Sequence, residues 1–405
     1  MSSQVRPGYK LTEVGVIPED WSVKSLGQLT GRITTGKLDA NAMVEDGAYP
    51  FFTCARDVYK INDYAFDTEA LLVSGNGANV GYIHYYFGKF NAYQRTYVLS
   101  EFSADITYLK MYMGQRLQER LRTEVNAGNT PYIVMGTLTE MQIGLPSSID
   151  EQRAIAIVLS DMDTMISRLD QLISKKRDIK QATMQQLLNG LQRLSGFSGK
   201  WERKCLGEIG YFLKGSGVTR DQSLSGDLPC IRYGEIYTVH NDYIREFKSY
   251  ISVAVAETAT LIKCGDILFA GSGETKEDIG KCVSFVDHME AYAGGDIVIF
   301  RPKNLDSLFL GYALNTPAVR RQKASRGQGD AVVHISANAL ASVEVLMPNQ
   351  AEQSAIANVL ADMDAELLTL ETRRNKAREL RQGMMQELLT GRIRLSQNSQ
   401  DAKLC

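Results

Sequence analysis

Apolar residues recur every three or four positions through two separated stretches of the chain. The first runs Ile155, Val158, Leu159, Met162, Met165, Ile166, Leu169, Leu172, Ile173, Ile179, Leu187 and Leu188. The second runs Ile356, Val359, Leu360, Met363, Leu367, Leu370, Ala377, Leu380, Met385, Leu388 and Leu389. That spacing lays one apolar stripe along one face of a helix. Start signals agree: Pro146 precedes Ser148-x-x-Glu151, and Pro348 precedes Asn349-x-x-Glu352, both read as capping boxes. Gly190 and Gly391 fall where a glycine ends a helix. The spacing therefore predicts helices over 150–189 and 351–390. At 1.5 Å per residue each is a rod of roughly 60 Å, too long to bury its stripe within its own domain. Pairing the two with each other, antiparallel, buries both.

The rest is patterned differently. Short β-type runs such as Tyr82–Phe87 and Ile297–Phe300 read as strands, broken by glycine-rich turns. Helical patterns span Ile106–Arg122 and Leu308–Lys323. Regions 1–147 and 195–347 thus each read as an α+β domain of about 150 residues.

The two halves are copies. Residues 151–194 align without a gap on 352–395, with 21 of 44 positions identical. Glu151-Gln152-Arg153-Ala154-Ile155-Ala156 answers Glu352-Gln353-Ser354-Ala355-Ile356-Ala357, and Asp161-Met162-Asp163 answers Asp362-Met363-Asp364. Upstream, Trp21 with Leu26-Gly27 matches Trp201 with Leu206-Gly207. Between these anchors the likeness is faint. Pro50 matches Pro229, Leu71–Gly77 resembles Ile267–Gly273, and Met141, Ile143 and Pro146 match Val343, Val345 and Pro348. The second variable region is longer by roughly 20 residues. The organisation is a variable domain 1–147, a spacer helix 148–194, a second variable domain 195–347, a second spacer 348–395 and a tail 396–405. If the duplication is pseudo-twofold, Gly391–Leu395 lies beside Pro18–Gly27, as Gly190–Leu194 leads into Trp201.

Composition narrows the class. The start lacks the apolar stretch of a signal peptide, and no run approaches a membrane span. Six cysteines without a C-x-x-C pair point to reduced thiols and a cytoplasmic location. Four dispersed histidines argue against a zinc site. A net charge of −2 lacks the basic excess of a dedicated DNA binder, so either DNA is not the partner or other subunits supply much of the electrostatic grip. Lys175-Lys176-Arg177, Arg373-Arg374, Lys376, Arg378 and Arg381 make basic runs on the rods. These are either solvated or face a partner subunit or DNA phosphates.

Residues whose donors and acceptors match base edges cluster in the loops of both variable domains. In the first these are Arg32, Lys37, Arg56, Asn76, Asn79, Gln94, Arg95 and Asn129. In the second they are Lys214, Arg220, Arg232, Ser272, Thr275, Lys276, Arg326, Gln328 and His334. They are candidate DNA contacts.

Two motifs point elsewhere. Phe269-Ala270-Gly271-Ser272-Gly273 looks like an S-adenosylmethionine loop, and Asn129-Thr130-Pro131-Tyr132 like a damaged catalytic N-P-P-Y. Threonine replaces the first proline, and the glycine motif has a repeat partner in Val73–Gly77. A duplicated turn explains it better than an amino-methyltransferase does. No Walker A or nucleophile constellation is present.

The lead-in Pro18-Glu19-Asp20-Trp21 with Leu26-Gly27, the Pro146-to-Glu151-Gln152 stretch and the doubled helix ending Leu187-Leu188-x-Gly190 together resemble the specificity subunit of type I restriction-modification systems. The spacing is one residue shorter in the second copy, Pro348 to Glu352-Gln353. The resemblance implies an α+β chain of two globular target recognition domains separated by two long antiparallel helices. It implies a non-catalytic protein without cofactor or metal that reads a split double-stranded DNA target. It also implies two methyltransferase subunits as partners, which restriction-translocase subunits can join. The alternative is a DNA-independent coiled-coil scaffold.

Overall fold

The computed structural model describes residues 5–124, 132–329 and 332–395. Its contacts divide into two units, Met1–Asp170 with Thr372–Cys405, and Gln171–Glu371. Both long helices, Ile149–Leu188 and Gln350–Leu388, cross that division, so each unit holds half of each.

In the first unit a six-stranded sheet carries the variable domain. Its order is Thr30–Thr35, Thr96–Phe102, Phe66–Ser74, Ile83–Ala92, Tyr49–Phe52, Tyr59–Ile61. All neighbours are antiparallel except Tyr49–Phe52, which runs parallel to the end of Ile83–Ala92. The helix Ile106–Glu124 adds Tyr108, Leu109, Tyr112, Met113 and Leu117 to the core. Ile155 and Leu159 of the first long helix enter that same core with Met385, Leu388 and Leu389 of the second. Across this seam Arg381 pairs with Asp163, and Arg378 with Asp170 at 2.8 Å. Partner numbers fall on one helix as they rise on the other, so these halves run antiparallel.

The second unit repeats the plan with its strands broken. One sheet orders Gly210–Lys214, Ile297–Pro302, Ile267–Ala270, Cys282–Ser284, and another orders Ser249–Ile251, Leu228–Ile231, Ala291–Ala293, Thr260–Ile262. The parallel pair recurs as Leu228–Ile231 with Ala291–Ala293. Most of the extra residues fall between Ile231 and Ile267, where a short helix, Tyr233–Thr238, and the strand Ser249–Ile251 sit. The seam duplicates by position: Lys180 pairs with Asp364 at 2.7 Å and Arg177 with Glu371 at 2.5 Å.

The two helices start and stop within a residue or two of expectation, but several details differ. The pattern Leu308–Lys323 is two helices, Ser307–Ala313 and Pro317–Ala324. Pro317 has no N–H for a continuous ladder and instead opens the second helix. Ser148 Oγ accepts from Asp150 N and Asn349 Oδ1 from Glu352 N, so both caps form. The glutamates do not reach back as a capping box requires, because arginines hold them. Leu172, Ile179 and Leu380, assigned to the stripe, are 40%, 42% and 55% exposed and stand off the buried seam. Arg177, Arg378 and Arg381 of the basic runs pair with acids on the opposite helix, while the Arg177 and Arg378 side chains stay more than half exposed.

Candidate nucleic-acid interface

Two kinds of place recur in each unit, a joint where helices meet domain and a loop end where the sheet stops. The joint is built from side chains. In the first unit Trp21 is buried, and Gly391, at φ +69, lies against it and Pro18. That places the second helix's end beside the lead-in segment. Arg394 clamps Glu151 and Asp20 with four hydrogen bonds of 2.5 to 2.9 Å, its guanidinium 5.9 Å from the Trp21 ring centre. The Arg394 hydrogen bond holds the Asp20 carboxyl below the usual carboxylate range. In the second unit Gly190, at φ +66, lies against Trp201, and Arg193 grips Glu352 at 2.5 and 2.6 Å. Gln152 and Gln353 complete the match. Each accepts from the backbone N–H of an aspartate, Asp105 or Asp306, and donates to Pro146 O or Pro348 O. The repeated Glu-Gln pair thus fastens the helix start in two directions.

The loop end is built from backbone. In the first unit Gly36 N donates to Thr96 O, Tyr93 N to Phe52 O, Gly75 N to Arg95 O and Ile133 N to Gly75 O. In the second, Gly215 N donates to Ile297 O, Gly294 N to Ile231 O, Gly271 N to Asp296 O and Ile335 N to Gly271 O. The bridge Asn76–Tyr132 answers Ser272–His334. Gly75 and Gly271 are therefore one duplicated turn. Behind them Tyr97 OH donates to Ile133 O and Tyr237 OH to Ser272 O; burial raises both phenols, Tyr237 to about 12, so each stays a neutral donor.

This frame gathers most candidates of the first domain. Lys37, Arg56, Asn76, Asn79, Gln94 and Arg95 lie on its adjoining loops, with Lys37, Arg56, Gln94 and Arg95 exposed. Arg56 stacks over the Tyr82 ring at 5.5 Å. Asn79 donates to Cys54 O and Gln94 to Asp39, so part of their capacity serves the loops. Arg32 stands apart in mid-strand, opposite Ser100. Asn129 lies outside the described residues.

In the second domain Lys214, Ser272 and His334 line one cavity of about 470 Å³. Ser272 is buried, its hydroxyl 2.9 Å from His334 Nδ1, and Gln328 exchanges backbone bonds with His334. Thr275 and Lys276 follow on the next loop, Thr275 bonded to Asp278. Arg220 is exposed on the loop after Lys214, and Arg232 is half-buried at the start of Tyr233–Thr238. Arg326 is committed inward, to Ser342 and Gln322 O. Sequence reasoning passed over Asp296, also on the cavity wall, because no acidic residue was sought, and because five more residues separate it from Gly271 than separate Arg95 from Gly75, so the ungapped repeat hides the match. Arg193 and Arg394 were missed too, although they are identical in the repeat. No cluster of three metal-ligating side chains exists among the described residues, and no helix among them can cross a membrane.

Comparison with known proteins gives a consistent result. The family model for the type I restriction modification DNA specificity domain matches residues 18–177 and 198–379. The type I restriction enzyme EcoDI specificity subunit of Escherichia coli is 41% identical over 181 residues, 44% of this chain and 39% of that one. The MjaVIII specificity subunit of Methanocaldococcus jannaschii is 23% identical over 94% of both chains. The S subunit of a type I restriction-modification system from M. genitalium has the same fold, with a TM-score of 0.64 at 16% identity over 94% of this chain and 98% of that one. A chain from a structure concerned with assembly and conformational transition of the type I system matches at 0.52, 13% identity, over 93% and 99%.

Proposed function

Since the chain belongs to the type I restriction-modification DNA specificity family, we propose that it supplies sequence recognition to a complex whose chemistry resides in other subunits. Two target recognition domains, 1–147 and 195–347, each read one half of a split double-stranded DNA sequence. The helices within 148–194 and 348–395 set the gap between halves. Two methyltransferase subunits dock on this frame, and restriction-translocase subunits join them; the chain itself contributes no catalytic group or cofactor.

The observation that carries this reading is the pair of loop ends. Both hold the same backbone hydrogen bonds while presenting different polar side chains. A scaffold that ignored DNA would have no use for two equal platforms with unlike surfaces. Base reading needs that combination, because backbone rigidity positions the donors and acceptors and their identity selects the base. Near-neutral net charge fits partners that provide the phosphate contacts. The test is methylation-motif mapping after exchange of residues 30–140 for those of a relative. One half of the motif changes and the other stays. A motif unchanged in both halves, or methylation by the complex without this chain, refutes the reading.

A further inference from the structure

The shared frame puts Arg95 and Asp296 in register. Gly75 N donates to Arg95 O at 2.8 Å, and Gly271 N to Asp296 O at 2.7 Å. The neighbours on both sides agree, Gln94 N with Leu38 O against Gly295 N with Gly217 O, and Gly36 N with Thr96 O against Gly215 N with Ile297 O. Both side chains are exposed, and neither has a hydrogen-bond or ion-pair partner among the described residues. One position of a duplicated frame thus carries opposite charges.

We infer that 95 and 296 are the same base-reading position in the two domains, filled with opposite chemistry. Arg95 takes an acceptor edge, the O6 and N7 of guanine, and Asp296 takes a donor edge, the amino group of cytosine. The inference rests on the DNA reading proposed above and adds the bases. A carboxylate gains nothing from phosphates and is repelled by them, so its productive partner on DNA is a base amino group. Lys214, which shares the cavity with Asp296 and whose ammonium has no partner among the described residues, offsets the local phosphate field. Asp296 also sits at φ 60, a conformation that Asp and Asn tolerate better than most residues. A turn-forming role alone would therefore be met equally by asparagine.

That equivalence defines the experiment. Asp296→Asn keeps the turn and removes the charge, and Arg95→Gln is its counterpart. Each full complex is expressed in cells free of other methylation, and its motif is mapped. Asp296→Asn relaxes a single cytosine in one half, with methylation of sites substituted there rising roughly tenfold or more. Arg95→Gln relaxes a single guanine in the other half. Unchanged selectivity in both variants, or relaxation at a base of the wrong kind, overturns the inference. If a variant stops methylating altogether, binding of its complex to DNA varied at that position decides. Lost discrimination supports the assignment and retained discrimination overturns it. Failure of the wider reading looks different, since the unaltered complex would then follow no split sequence.

Discussion

The joint around Trp21 and the loop end around Gly75 both recur in the second half, yet the joint keeps its residues there while the loop end keeps little beyond its glycines. The joint consists of side chains fitted to side chains: Arg394 on Glu151, Gln152 on Pro146, Gly391 under Trp21. Changing any one leaves a buried partner unmet, so both copies keep the same residues. The loop end is held by N–H and C=O groups, which every residue but proline provides, with glycine required only where backbones close, as at Gly36 and Gly215. Its side chains are free to differ, and they do: Arg95 against Asp296, Asn76 against Ser272, Tyr132 against His334. Geometry is thus common to the two domains, and under the proposed reading the choice of base is separate in each.

The largest effect that tests this contrast is at the joints. Glu352 is fully buried and is the carboxylate that Arg193 grips, whereas Arg394 has Asp20 as well as Glu151. Glu352→Ala removes both hydrogen bonds that Arg193 makes to this carboxylate and leaves its guanidinium only Gly199 O, so the second unit is expected to lose stability. Glu151→Ala costs less, because Asp20 stays on Arg394. Trp21 and Trp201, the chain's two tryptophans, lie one in each unit, so Trp21→Phe and Trp201→Phe backgrounds report each unit's denaturation separately. Equal losses from the two substitutions would show that Asp20 does not share the load.

What the sequence made legible follows the same line. Periodicity and repetition exposed the helices, their caps and the pairing of copies, all properties of side chains spaced along the chain. The order of strands in the sheet and the parallel pair Tyr49–Phe52 with Ile83–Ala92 stayed hidden, because long-range backbone pairing leaves little mark on composition. Leu308–Lys323 looked like one helix because its apolar spacing continues through Pro317. Among candidate contacts, residue type found Arg95 but could not tell it from Arg326, whose donors are spent on Ser342 and Gln322. Only three-dimensional register separates those two.

The loop end should fail through its backbone. A Cβ on Gly36 would lie 1.8 Å from Ala92 O, and one on Gly215 would lie 2.1 Å from Gly294 O. Neither carbonyl can withdraw without breaking the shared frame. Gly36→Ala is expected to cost about 2–3 kcal/mol in the first unit and to weaken reading of one whole half-sequence. Arg95→Gln, by contrast, leaves stability within about 0.5 kcal/mol, as exposed substitutions do. Measured unfolding of Gly36→Ala and Arg95→Gln in the Trp201→Phe background, which follows Trp21, checks both. A destabilised Arg95→Gln would mean that the side chain serves the frame.

Acidification separates the units by a smaller margin, through a residue the duplication does not share. His240 in the second unit is 3% exposed, and burial, with the Lys281 charge next, brings its imidazole down to about 4. The folded protein therefore keeps it neutral while the unfolded chain takes up a proton near 6.5. Stability is complete above 6.5 and falls as the pH drops from there toward 4, by about 2 kcal/mol at pH 5. His84 in the first unit is also held down by burial, but it is only half-buried and keeps a hydrogen bond to Ala55 O, so its share is smaller. Between pH 7 and 5 the Trp201 signal in the Trp21→Phe background should lose more stability than the Trp21 signal does in the Trp201→Phe background. His240→Gln should flatten the first slope and leave the second unchanged. Parallel slopes, or a slope that survives His240→Gln, would place the acid sensitivity in the common frame and remove this difference between the halves.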